Sequence, residues 1–148
     1  MKLRTKAREK AIQAIYSIFS EIDGEYNEAE LLTLVNEKIN QVISFDQTEL
    51  NESQISFTKF LLENTLKDLP EIDKLIKKYA HNWDFSRISL IDKSVLRIAI
   101  MEMVFTDTPN KVVINEAIEL AGSFSGAKSS KFINGILDAI MHKENKND

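Results

Sequence analysis

The sequence predicts an all-α protein, a seven-helix bundle in a single domain. Three observations carry that prediction. Apolar residues recur at three- and four-residue steps along almost the whole chain, and no stretch sustains an alternation of period two. Only four Gly and two Pro interrupt 148 residues, and Leu, Glu and Lys, all strong helix formers, are among the commonest residues. The connections between periodic segments are short, so each amphipathic stripe must bury against another helix, no sheet being available.

The elements follow in order. A first helix is expected from about Arg4 to Glu21, with Ala7, Ala11, Ala14, Ile15, Ile18 and Ile22 on one stripe and Asp23-Gly24 as its stop. A second begins near Asn27 and buries Leu31, Leu34, Val35, Ile39 and Val42. A third begins near Asn51 and buries Ile55, Phe57 or Phe60, Leu61, Leu62, Leu66 and Leu69. Pro70 opens a fourth at the position proline favours, contributing Ile72, Leu75, Ile76 and Tyr79. Trp83 to Arg87 is a connection. A fifth helix spans about Leu90 to Thr106. Pro109 breaks the chain before a sixth, near Val112 to Phe124, and Ser125-Gly126 separates it from a seventh, near Ser129 to Met141. The polar tail after His142 is expected to fray.

Composition narrows the function. The chain has no Cys, hence no disulfide framework or thiolate metal site, which fits a reducing cytoplasm. No apolar run approaches the ~18 residues of a membrane span, and no signal-peptide core follows the N-terminal cations. Net charge is -4, unevenly spread. Lys2, Arg4, Lys6, Arg8 and Lys10 face a single acid, Glu9, in the first ten residues. A basic arm on an acidic body marks a nucleic-acid contact, or else a solvated helix start.

Helix dipoles bear on those readings and leave both open. Anions are favoured at helix N-termini, and Glu28, Glu30, Glu52, Glu71 and Asp73 obey. The first and last helices disobey: one opens on the basic arm, the other on Lys128 and Lys131 among serines. A phosphate group relieves both, pairing with the cations and accepting from free backbone N–H groups. At about 100° per residue, Arg4 and Arg8 continue the row of Ile15 and Ile22, so they are expected to face a groove beyond the core, with Lys2, Lys6 and Lys10 turned away. Phe132, in the first turn of the last helix, either stacks on a base or joins the core.

Catalytic patterns are missing. Gly122, Gly126 and Lys128 suggest a phosphate loop, but three residues separate the glycines where four are needed, Ala127 precedes Lys128, and a helix stands where a strand should. His81 and His142 lack partners at ligand spacing, so no metal and no cofactor are expected. Glu116 and Glu119 read as a helix face rather than an acid/base pair. Asn115, Glu116 and Asn134, polar residues in apolar helices, are expected to tie helices together by buried hydrogen bonds.

Three blocks carry a resemblance. Arg8 to Tyr16, Asp92 to Ala99, and Lys111 to Ala121 followed by Lys131 to Asp138 resemble, in order and spacing, the signatures of the NusB family of bacterial transcription antitermination proteins. The resemblance covers nearly the whole chain. It implies seven helices in two subbundles and no catalysis. It implies binding of single-stranded boxA RNA, a heterodimer with NusE (a small-subunit ribosomal protein that doubles as a transcription factor), and entry into the RNA polymerase complex through other Nus factors. The family's RNA surface corresponds here to Lys2, Arg4, Lys6 and Arg8, with Lys128, Ser129, Lys131 and Phe132. The NusE-facing surface corresponds to Tyr16 and Asp92.

The chain departs from the family pattern at Thr5, where arginine is frequent; at Gly122, where lysine is frequent; at Lys128, where an acid occurs; and at Met101, where an aromatic is common. Two alternatives remain. A similar helical fold opens certain RNA cytosine methyltransferases, but this chain stops at Asp148 without Cys, so the domain is expected to stand alone. The other is a protein adaptor without RNA. A homodimer that covers the RNA surface, as in some family members, stays open.

Overall fold

A computed structural model describes residues 3–22, 26–45 and 50–144. Among them are seven α-helices and no β-strand, and no helix is long and apolar enough to cross a membrane. The chain divides into two compact units, residues 1–67 and 68–148.

The first unit holds α1 (Leu3–Ser20), α2 (Glu28–Phe45) and α3 (Glu52–Lys67), all three in mutual contact. Ala7, Ala11, Ala14, Ile15 and Ile18 are buried as the periodicity requires, joined by Ile12. They meet Leu31 and Val35 of α2 and Leu61, Leu62 and Leu66 of α3 in the core of the unit. The helix starts sit at the expected asparagines. Asn27 Oδ1 accepts from the Glu30 N–H at 2.8 Å. Asn51 and Gln54 satisfy each other reciprocally, each side-chain oxygen accepting from the other's backbone N–H at 2.8 and 2.9 Å, a capping box. The Thr58 hydroxyl, fully buried, lies 2.8 Å from its own helix's Gln54 carbonyl and 3.4 Å from the Ala7 carbonyl of α1. Buried Lys38 of α2 pairs with Glu21 just beyond α1. The side chains of Ile39 and Val42, and the Asp23-Gly24 stop, lie outside the described residues.

The second unit holds α4 (Leu69–Tyr79), a short 3-10 turn (Phe85–Arg87), α5 (Leu90–Phe105), α6 (Asn110–Ser125) and α7 (Ala127–Lys143). α5 is its axis: it contacts α4, α6 and α7, and every residue from Ser94 to Met103 is buried. A helix covered all round belongs in a core. Ser89 caps it, its hydroxyl accepting from the Asp92 N–H at 3.2 Å. α6 and α7 begin two residues earlier than their apolar patterns suggest. The Pro109 carbonyl is already the first acceptor of α6 and the Gly126 carbonyl that of α7, so each breaker also starts the next helix. Gly126, at φ 97°, is the only residue between them. Where α6 and α7 pass, a Cβ on Gly122 would lie 2.9 Å from Ser130 Oγ, which donates to the Ile118 carbonyl at 2.8 Å.

Of the three polar residues expected to tie helices, Glu116 is buried, whereas Asn115 and Asn134 are exposed. Each asparagine follows a buried isoleucine, Ile114 or Ile133, and the helical turn of about 100° between neighbours carries it off the buried stripe. Asp73, read as a helix-start anion, is buried and pairs with Arg97.

Candidate nucleic-acid interface

In the first unit the basic start of α1 meets the aromatic start of α3. The Arg4 guanidinium lies 4.4 Å from the centroid of the Phe57 ring and that of Arg8 lies 5.5 Å from it. Their common row on α1 produces this convergence, as the helical spacing predicts. Their exposures differ. Arg4 is exposed, whereas Arg8 is 5% exposed and so offers little of its head group to a ligand. Lys6 is half-buried; Lys10, expected to turn away from the core, is buried. Lys2 lies outside the described residues. Tyr16, one turn before Ser20 on the same helix, is 42% exposed.

In the second unit a cleft of about 370 Å³ is lined by Trp83, Arg87, Asp92, Lys128, Ser129 and Phe132, among others. Phe132 is half-buried and meets Trp83 edge to face, centroids 5.5 Å apart, so it neither joins the core nor stands free: it is a cleft wall. Lys128 and Lys131 are exposed in the first turns of α7, where Gly126 supplies no side-chain cap. Lys131 shares the helix but is not among the cleft-lining residues. Asp92 lines this same cleft, beside the cations read as RNA contacts, and its Oδ1 is buried without a hydrogen-bond partner among the described residues.

Sequence reading missed Trp83 and Arg87. Both stand in the segment taken as a bare connection, yet the 3-10 turn fixes it: Asp84 Oδ1 accepts from the Ser86 N–H and hydroxyl at 3.1 and 3.0 Å. The signal available was a tryptophan and an arginine four residues apart in a segment without helical periodicity. Cations also gather behind this turn. The Phe85 ring has Lys93 Nζ at 4.7 Å, Lys77 Nζ at 4.9 Å and Arg97 Cζ at 5.7 Å from its centroid. Burial, and then the Arg97 charge, hold the Lys93 ammonium below the usual lysine range.

Such a combination of exposed cations, exposed aromatic faces and uncapped backbone N–H groups suits a flexible polyanion carrying planar rings.

Known proteins give the same direction. The NusB family model matches residues 5–142. The chain is 37% identical, over 95% of its length and 93% of the relative's, to the transcription antitermination protein NusB of Thermodesulfovibrio yellowstonii. It is 38% identical to that of Elusimicrobium minutum, over 97% and 96% of the two chains. Among solved structures it resembles T. maritima NusB, with a TM-score of 0.80 at 29% identity, covering 96% of this chain and 92% of that one. A further fold neighbour, with a TM-score of 0.78 at 22% identity over 96% and 98% of the chains, comes from a crystal structure of antitermination factors NusB and NusE in complex with dsRNA. With its family signature spanning both helical units, the chain belongs to the NusB family.

Proposed function

We propose that this chain is an RNA-binding transcription antitermination factor. In this reading it binds single-stranded boxA RNA as a heterodimer with NusE and, through other Nus factors, helps RNA polymerase suppress termination, notably in ribosomal RNA operons. The observation that carries the reading is the near full-length match to antitermination proteins at 37–38% identity. The protein acts in the cytoplasm, by binding and without catalysis, residues 1–148 serving as one RNA-binding domain.

The site geometry supports particular roles. Arg4 and Lys6, with Lys2, supply phosphate contacts from α1. Lys128, Ser129 and Lys131 supply them from the start of α7, and Phe132 stacks a base. Arg8 acts mainly by holding the start of α1 on Phe57, since it is buried. For Tyr16 and Asp92 the support is the family resemblance alone, which turns them toward NusE.

Titration of labelled boxA RNA, and of a scrambled RNA of equal length, with the protein alone and with purified NusE tests the reading. Preferential boxA binding that tightens with NusE supports it. A heterodimer that forms yet binds neither RNA overturns it in favour of a protein adaptor.

A further inference from the structure

Resting on that RNA-binding reading, we infer a second base-stacking site, at the start of α3, where Phe57 and Phe60 form a platform for one unpaired nucleobase. The two rings lie nearly parallel, 12° apart with centroids 6.2 Å apart, as residues three apart on a helix face allow. Phe60 is 43% exposed although Leu61 and Leu62 beside it are fully buried. A groove of about 290 Å³ runs along the platform, lined by Arg4, Asn51, Ser53, Gln54, Ser56 and Phe57 together with Phe60. Ligand pockets usually span about 300–1,000 Å³, so this one suits a single ring system.

Its chemistry fits a nucleotide. An exposed aromatic face takes any base by stacking. Ser53, Ser56 and Asn51 in the groove's lining carry hydroxyls and an amide N–H suited to base edges or a ribose hydroxyl, the Asn51 oxygen being taken by the Gln54 N–H. Arg4, held over Phe57 at 4.4 Å, keeps the donors at its guanidinium edge available to a phosphate, because stacking uses only its face. Glu52 in the first turn of α3 repels a phosphate from that helix end, which places the backbone on the Arg4 side and the base on Phe60. The platform therefore holds a base in the same unit whose cations grip the backbone.

The test is titration of labelled single-stranded boxA RNA with the NusE heterodimer carrying wild-type chain, Phe60→Ala, Phe60→Leu or Phe60→Trp. Stacking is expected to make Phe60→Ala and Phe60→Leu weaken binding roughly five- to 150-fold, with Phe60→Trp at or above wild type. The salt slope of Phe60→Ala should stay unchanged, whereas Arg4→Gln should make it shallower by about 0.7. Leucine keeps apolar bulk without a π face, so equal loss in both variants, with unchanged thermal unfolding, assigns the effect to stacking. Wild-type affinity in both Phe60→Ala and Phe60→Leu overturns the platform and leaves the RNA-binding reading intact. Failure of the wild-type heterodimer itself to bind RNA overturns both.

Discussion

Arg97 and Asp73, on neighbouring helices of the second unit, meet in a two-pronged ion pair: Nε to Oδ1 at 2.8 Å and Nη2 to Oδ2 at 3.0 Å, both side chains buried. Removing either partner leaves the other charge buried. Asp73→Leu or Arg97→Met alone is expected to cost about 3–5 kcal/mol, while the double variant returns close to wild type. Urea unfolding followed by circular dichroism measures all three. A single variant within about 1 kcal/mol of wild type contradicts the expectation.

Gly122 is held by contact. Alanine there gains about 0.5–1 kcal/mol of helix propensity but forces Ser130 Oγ off its 2.8 Å bond to the Ile118 carbonyl, a loss of about 1–3 kcal/mol with the crowding. Gly122→Ala is expected to lower the melting temperature, and Gly122→Ala with Ser130→Ala to recover most of the loss. Additive losses in the pair would mean that the contact is not the cause.

Charge reversal at the start of α7 tests which surface does what. Lys128→Glu with Lys131→Glu is expected to weaken boxA binding by tenfold or more while NusE binding survives, since both lysines are exposed and surface changes rarely disturb a fold. Pull-down of NusE beside an RNA titration reads both. Loss of NusE binding together with RNA binding would assign these lysines to the protein interface instead.

Trp83 is the chain's single tryptophan and is 56% exposed against Phe132. Its fluorescence is therefore a reporter of one cleft. Saturating boxA RNA is expected to quench or shift it, and Phe132→Ala to weaken RNA binding roughly five- to 150-fold, as for a lost stack. An unchanged emission spectrum at saturation would place the RNA elsewhere.

At the end of α7, Glu144 accepts from the Tyr79 hydroxyl and the Lys78 ammonium. Those bonds, Tyr79's first, hold the Glu144 carboxyl below its usual value, and the bond to Glu144 raises both Lys78 and Tyr79. Glu144 is lowered in the folded state, so its contribution is present above the ordinary carboxylate range and fades as pH falls through the folded value. Tyr79 and Lys78 are raised, so theirs is present below their ordinary values near 10 and fades as pH rises through the folded ones. An ultraviolet titration should show a tyrosine ionising above 10 that disappears in Tyr79→Phe.

Seven helices and most core residues were legible because burial of a 3.6-residue stripe is written locally. The helix starts at Asn27 and Asn51 were legible too, since each asparagine bonds a group only three residues on. What escaped depends on distance along the chain. Asp73 looked like a helix-start anion, for nothing near it in sequence names Arg97 as its partner. Phe57 and Phe60 could not be ranked, since which phenylalanine faces inward is decided by α1. Arg8 was placed in the correct row, but a row does not say how deeply a neighbouring helix covers it. The two cation clusters were legible through a broken local rule, and Phe132 with them; the Trp83 wall that Phe132 meets was not, because Trp83 comes from a turn with no periodicity of its own.

The fully covered axis of the second unit has a consequence for time rather than space. From Ser94 to Met103 every position is enclosed, so each tolerates only replacements of similar volume. Over a lineage's history this helix should keep a slow clock, because its constraint comes from packing on every side. Within the living protein the same ten amides should be the last to exchange their hydrogens. What divergence leaves alone and what deuterium reaches last are then one segment.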